Sequence, residues 1–227
     1  SAACCGFMYA LDVACSMIQS SRYKRIIVIG ADKMSSITDY ADRQTCALFG
    51  DGAGAVMVEG TTEEGVGFVD SYNRTDGKGL PFLHIKAGGS VSPASQFTVD
   101  HRLHYTYQEG RTVFRYAVTA MGDDCATLLE RNKMTTDDVD FVVCHQANLR
   151  IIEAVAKRIG IPMEKVLVNI QRYGNTSAAC MPLVLWDFES QLKKGDNIVF
   201  TAFGAGFVNG ASLFKWAYDG ATEAVKK

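Results

Sequence analysis

Segments of helical period alternate along this chain with short, β-branched apolar runs, and that alternation constrains the fold more than any other feature. From Phe7 the apolar residues fall at Phe7, Ala10, Leu11, Ala14, Met17 and Ile18, the spacing of one helix face. "RIIVIGAD" follows as a buried strand, and "FGDGAGAVMVEG" as a Gly-rich turn running into another. "GFVDSYNRTDG" reads as a further strand and turn. The spacing predicts a long helix over about 112–132, with Val113, Ala117, Met121, Cys125 and Leu128 on its apolar side. "TTDDVD" reads as a helix start and "FVVCHQA" as a strand. "NLRIIEAVAKRIG" is a helix closed by Gly160, with Pro162 beyond it, and "NTSAACMPLVLWDFESQLKKGD" supplies another. "NIVFTAFGAGFVNGASLFKWA" reads as two strands about a Gly-rich turn, a hairpin-like ending. Helices alternating with strands imply an α/β layered fold.

"ALFGDGAGAVMVE" and "VFTAFGAGFVNGASLF" echo one another, each a strand, an F-G-x-G-like turn and a second strand. The echo suggests a duplication. Residues 78–110 are irregular and rich in Gly, Ser and aromatics, as befits a functional or inserted connection between two halves. The GDGAG turn lacks the GxxxxGK[ST] phosphate-binding pattern and leads into a strand, so tight-turn geometry is the expected reason for its glycines.

Composition excludes several functions. With 48% hydrophobic residues the chain can build a core, and a net charge of -2 argues against nucleic-acid binding. No apolar run approaches the ~20 residues that span a bilayer, so no membrane association is expected. The seven cysteines (4, 5, 15, 46, 125, 144 and 180) form no CxxC pair, which points to free thiols in a reducing, cytoplasmic compartment. Cys4, Cys144, His145 and Cys180 lack the short-spaced pair of a zinc site, so no metal is expected.

Three residues at element boundaries carry possible chemistry. Cys4 precedes a helix by a few residues, where the helix N-terminus would lower a thiol pKa, and Ala2, Ala3 and Gly6 leave room for substrate. It reads as a nucleophile or as an inert buried thiol. His145 ends a buried strand, where α/β enzymes place catalytic groups, or is a core histidine bonded to backbone. Asn175 sits in "RYGNTSAA", where Gly174 supplies the turn; it is a functional amide or a turn residue. Together they form a possible nucleophilic triad. Papain-like proteases also use Cys, His and Asn, but "ACCGFMY" lacks their C-G-[SA]-C-[WY] signature.

"AACCGFMYAL", "DRQTCALFGDGAGAV", "HQANLRII", "RYGNTSAA" and "AFGAGFVNGA" resemble, in order and spacing, the β-ketoacyl-acyl-carrier-protein synthase III family, the initiating condensing enzymes of bacterial type II fatty acid synthesis. The resemblance implies a thiolase-like layered α/β fold (α/β/α/β/α) of two duplicated halves, the first truncated here. Residues 1–77 would be the remainder of the N-terminal half, 78–110 a connecting segment and 111–227 the C-terminal half. It implies that Cys4 is the acylated nucleophile, that His145 and Asn175 form the decarboxylation pair, and that the backbone N–H groups of Cys4 and Ala205 make the oxyanion hole. The family usually has Gly where this chain has Ala205, and Ala where it has Cys5. Arg43 aligns with a coenzyme A contact, and Gln146, Ala147, Asn148, Leu149 and Arg150 with the segment linked to acyl-carrier-protein docking. Conventional thiolases carry a second Cys in place of the Asn. The implied reaction is decarboxylative condensation of an acyl-CoA primer, expected to be acetyl-CoA, with malonyl-acyl-carrier protein. No cofactor is expected, acyl-CoA and the malonyl carrier protein being substrates, and the family is usually homodimeric.

In the helix after His145, Arg150, Lys157 and Arg158 lie seven and eight residues apart and share a face. It is an ordinary solvated face or a docking surface for an acidic carrier protein and the CoA phosphates. Alternatives to condensation are a related thiolase-fold secondary-metabolite acyltransferase, an inactive fragment and a Cys-His-Asn hydrolase. The first residues, "SAACC", hold no initiator Met. In the resembling family about a hundred residues precede the nucleophile, in keeping with a larger two-lobed enzyme. The chain alone is therefore expected to be an inactive piece, with an incomplete N-terminal sheet and a nearly complete layered unit from about Thr112 onward.

Overall fold

The computed structural model describes residues 2–220. Helix α1 (Gly6–Gln19) follows a one-turn 3-10 segment, Ala3–Cys5, and leads to β1 (Arg25–Asp32), β2 (Gly52–Glu59) and β3 (Gly67–Thr75). The segment expected to be irregular folds into β4 (Leu83–Ile85), α2 (Gln96–Asp100) and β5 (Thr106–Gln108), with β4 and β5 antiparallel. Then come α3 (Gly110–Arg131), β6 (Phe141–Cys144), α4 (Leu149–Ile159), α5 (Ile170–Tyr173), α6 (Cys180–Phe188), β7 (Asn197–Gly204) and β8 (Val208–Lys215). "TTDDVD" forms only a 3-10 turn, Thr136–Asp138, capped by Thr135, because the apolar strand β6 begins three residues on.

Two sheets organise the molecule. The larger has the order β3-β8-β7-β6; β6 and β7 are parallel, the other pairs antiparallel. β6, β7 and β8 are buried on both faces along most of their length, β3 only partly, and the two-residue period sorts their side chains. Val142, Cys144, Val199 and Phe203 enter one core with α3 and α4, while Val143, Ile198, Phe200 and Ala202 enter another with α1 and α6. The smaller sheet is the antiparallel pair β1–β2, register Arg25↔Glu59 to Asp32↔Gly52. Ile26, Val28, Val56 and Val58 face α1 and α6; Ile27, Ile29 and Met57 face outward and are exposed.

The layers among the described residues are thus α3/α4, sheet, α1/α6, sheet. That is four of the five expected, since no helix covers the outer face of β1–β2. β3, which lies within 1–77, pairs along its length with β8. The larger sheet therefore draws a strand from before residue 78, and the layered unit does not begin near Thr112 as expected. Sheet pairing, giving β8 a partner strand on each edge with one irregularity at Phe68–Asp70, overrides chain order here.

Helix α4 shows how the sequence fixes an element that borders the site. Asn148 caps it, its side chain accepting from Ile151 N–H at 2.9 Å. Ile151, Ile152, Val155 and Ala156 are buried, each larger side chain contributing about 1.5–3 kcal/mol. Gly160, at φ +78, closes it in the left-handed conformation.

The glycines of "GDGAG" do not serve a tight turn. Gly52 and Gly54 lie within β2, and a Cβ on Gly54 would stand 2.9 Å from Pro182 Cβ. One on Gly30 would stand 2.5 Å from the Ala178 carbonyl oxygen. These residues are small because the sheet packs directly on the backbone that carries residues 175–183.

Candidate active site

The ends of β6 and β7 and the head of α1 converge on residues 175–180. His145 follows β6, and its backbone N–H donates to the Thr201 carbonyl at 2.8 Å, extending the ladder by one residue. Its ring is 2% exposed. Nδ1 lies 3.0 Å from Cys180 Sγ. Burial pushes the imidazole pKa down to about 4, so the ring is neutral at neutral pH and holds one N–H.

Asn175 is clamped by its backbone. Its N–H donates to Leu48 O at 2.9 Å, and its carbonyl accepts from Gly50 N–H at 3.0 Å. Gly174 before it has φ +66, as the turn reading expects. The side-chain Oδ1 accepts from Ser177 N–H at 2.9 Å. With its oxygen so occupied, the amide has its NH2 left to offer. The Asn175 amide thus accepts within its own turn and can present its NH2 as a donor to the site.

Cys4 lies in the 3-10 turn before α1 and is partly exposed. Ala3 beside it has φ +43, a conformation L-residues rarely adopt. Gly204, at the end of β7, packs against this turn: a Cβ there would stand 2.9 Å from Cys4 N and 3.3 Å from Cys4 Cβ. The thiol does not have the lowered pKa expected of a helix N-terminus. Burial pushes it up to about 11, with the nearby Asp32 adding to the rise and a Ser177 side-chain hydrogen bond opposing it. Desolvation of the thiolate outweighs the helix end, and the resting group is a neutral thiol.

Residues 175–180 link the three groups. Ser177 lies beside Cys4, where it opposes the rise in the thiol pKa, and bonds Asn175 through its backbone N–H, and Cys180 meets His145. Asp32 accepts Ala178 N–H at 2.9 Å and anchors this segment to β1. Ala205 follows Gly204 in the turn between β7 and β8. Cys5, unexplained by sequence, is fully buried and donates to Val208 O at 3.3 Å; it is a core thiol sealing α1 against β8.

The outlying residues divide. Arg43 is exposed on the turns between β1 and β2, upstream of the Leu48 that holds Asn175. Gln146 is not a surface residue: it is fully buried, its Nε2 donating to Cys144 O at 2.8 Å and its Oε1 accepting from Asn169 N–H at 3.1 Å. It cannot dock a partner; it ties β6 to the segment before α5. Ala147 and Asn148 are half-buried, Asn148 serving as the cap of α4, while Leu149 and Arg150 are exposed. Lys157 and Arg158 are exposed, but Arg158 is engaged by Asp123 of α3 at 2.6 Å, so its charge is partly offset. Among the described residues, no group of three His, Cys, Asp or Glu side chains is placed to hold a metal ion. Sequence reasoning missed Ser177 and Gly204 as parts of the site and weighed Cys180 only as a metal ligand, because only tertiary approach brings them to it.

A thiol, a neutral imidazole and a donor amide thus gather at the junction of helices and strands, within a thiolase-like fold. Residues 1–77 match the family description 3-oxoacyl-[acyl-carrier-protein] synthase III, and residues 129–216 its C-terminal part. The β-ketoacyl-[acyl-carrier-protein] synthase III of Phocaeicola vulgatus is 65% identical over 219 residues, covering 96% of this chain and 65% of that protein. The one from Solibacter usitatus is 50% identical, covering 96% of this chain and 67% of that protein. The crystal structure of 3-oxoacyl-(acyl carrier protein) synthase III from Pseudomonas aeruginosa PAO1 matches with a TM-score of 0.87 and 36% identity, covering 97% of this chain and 67% of that one. The chain belongs to the β-ketoacyl-[acyl-carrier-protein] synthase III family. It spans about 65% of the length of the first of these relatives. Neither the inactivity nor the missing upstream segment expected from its sequence is established by these likenesses.

Proposed function

We propose that this chain carries out the decarboxylative condensation that begins fatty acid synthesis, joining an acyl-CoA primer to malonyl-acyl-carrier protein. One observation carries the chemistry: Asn175 has its oxygen held by Ser177 N–H, so that it and the neutral His145 can both act as donors.

Cys4 attacks the acyl-CoA carbonyl. The C–S bond to CoA breaks, and the proton lost from Cys4 ends on the CoA sulfur. The backbone N–H groups of Cys4 and Ala205 hold the tetrahedral oxyanion, each such donor being worth about 3 kcal/mol of barrier. The malonyl thioester then loses CO2. Its electron pair passes to an enolate whose oxygen accepts from His145 and from the Asn175 amide. A carboxylate at position 175 would repel that oxygen, which is why an amide suits this step. The enolate carbon attacks acyl-Cys4; the C–S bond breaks, the Cys4 thiolate takes a proton from solvent to return to the thiol, and the β-ketoacyl product stays on the carrier protein.

No cofactor enters this scheme, because every bond made or broken belongs to the thioesters. Arg43 takes part in holding the CoA nucleotide, and Leu149, Arg150 and Lys157 border the carrier-protein contact. Residues 1–77 and 111–227 belong to two related halves, and β3 of the first joins the larger sheet beside β8. The working enzyme is a homodimer of the cytoplasm; among the described residues no helix is long and apolar enough to cross a membrane.

Paired variants test the division of labour. Cys4→Ala should lose acyl transfer yet still decarboxylate malonyl thioester, while Asn175→Ala should become acylated but condense about 10²–10³-fold more slowly. Normal condensation by Cys4→Ala, or by Asn175→Ala, would remove the corresponding role.

A further inference from the structure

The proposed mechanism leaves the thiol of Cys180, which meets the catalytic imidazole, without a role. Cys180 opens α6 and is 1% exposed. Its sulfur lies 3.0 Å from His145 Nδ1 and 3.4 Å from the backbone nitrogen of Gln146. A backbone N–H can only donate, so the sulfur accepts from Gln146. The S–H then finds its acceptor in the ring nitrogen Nδ1. An imidazole nitrogen that accepts carries no proton, and a neutral ring must hold its proton on the other nitrogen. We infer that Cys180 is a positioning residue that fixes His145 as the Nε2–H tautomer, turning the ring's one donor away from α6 and toward the reacting thioester.

The competing arrangements fit less well. With its proton on Nδ1, the ring would donate to a sulfur that already accepts from Gln146, and the thiol hydrogen would lose its acceptor. An ion pair of thiolate and imidazolium is disfavoured by burial, which pushes the thiol up to about 12 and the imidazole down to about 4. The relay is also rigid. Cys180 has helical backbone angles, φ -62 and ψ -41. Gln146, which supplies the orienting N–H, is locked by its own buried amide to Cys144 O, Leu167 O and the N–H groups of Asn169 and Ile170. Gln146 thus belongs to the support of the histidine rather than to a docking surface.

This inference deepens the reading of His145 as an enolate donor and rests on it for its catalytic meaning, but the tautomer is a property of the resting protein. It is read by nitrogen NMR of the full chain labelled with 15N-histidine, the His145 signals being those lost in His145→Asn. Near pH 7 the wild type should show an unprotonated Nδ1 and a protonated Nε2. Cys180→Ser keeps a donor at that place and should keep both the tautomer and the rate of malonyl-thioester decarboxylation. Cys180→Ala should give mixed tautomers and a rate lower by about fivefold, the worth of one ordinary hydrogen bond. A protonated Nδ1 in the wild type would overturn the inference, as would an alanine variant with unchanged tautomer and rate. If Cys180→Ala does not fold, the wild-type and serine spectra decide. An Nε2–H tautomer in a protein that does not decarboxylate would uphold the positioning role and overturn the proposed function instead.

Discussion

At the scale of single residues, burial sets the charge state of the site. His145 takes its proton near pH 6.5 in an unfolded chain, but burial holds it back to about pH 4 in the folded protein. Between those values the unfolded state binds more protons, so acid favours unfolding. The contribution is fully present above pH 6.5 and is lost as the pH falls toward 4, by up to about 3 kcal/mol. Urea unfolding at pH 7 and pH 5 measures this, and His145→Asn should flatten the difference; an equal acid loss in that variant would assign it to other groups. The same physics explains what the sequence left hidden. The positions of Cys4, His145 and Asn175 at element boundaries were legible, while their roles came from the family resemblance alone. Their pKa values were not legible, because desolvation depends on neighbours distant in sequence. The helix-end argument for a reactive Cys4 thiolate failed for that reason, and the burial of Gln146 was invisible for the same one.

At the scale of elements, periodicity carried far. Every long helix and apolar strand read from the sequence forms, and the closing hairpin β7–β8 turns between Gly204 and Val208. Layer order was less legible, since nothing local tells β3 to join β8 rather than β1–β2. The reason for the glycines was also not local: they permit one sheet to lie against the backbone before and within α6. Gly54→Ala, at an ordinary strand position, should therefore destabilise the fold by about 1–3 kcal/mol, because the added methyl meets Pro182 within 2.9 Å. Denaturant melts read this directly. A midpoint equal to that of the wild type would mean that β2 and α6 do not approach so closely.

At the scale of the whole molecule, charge on α4 lies beside the strand end that carries His145. Arg150 and Lys157 are exposed, and Arg158 is tied to Asp123. Reversing Arg150 and Lys157 together should weaken use of the malonyl carrier protein far more than acylation by acyl-CoA, and the difference should shrink as salt rises. Equal losses with both substrates would place these residues in the pocket or in the fold. The central claim, that Cys4 receives the acyl group, is tested most directly by mass spectrometry of the intact and digested protein after incubation with acetyl-CoA. A single acetyl group on the peptide bearing Cys4, absent from Cys4→Ala, is the predicted result. No adduct, or an adduct on Cys5 or Cys180 instead, would contradict it.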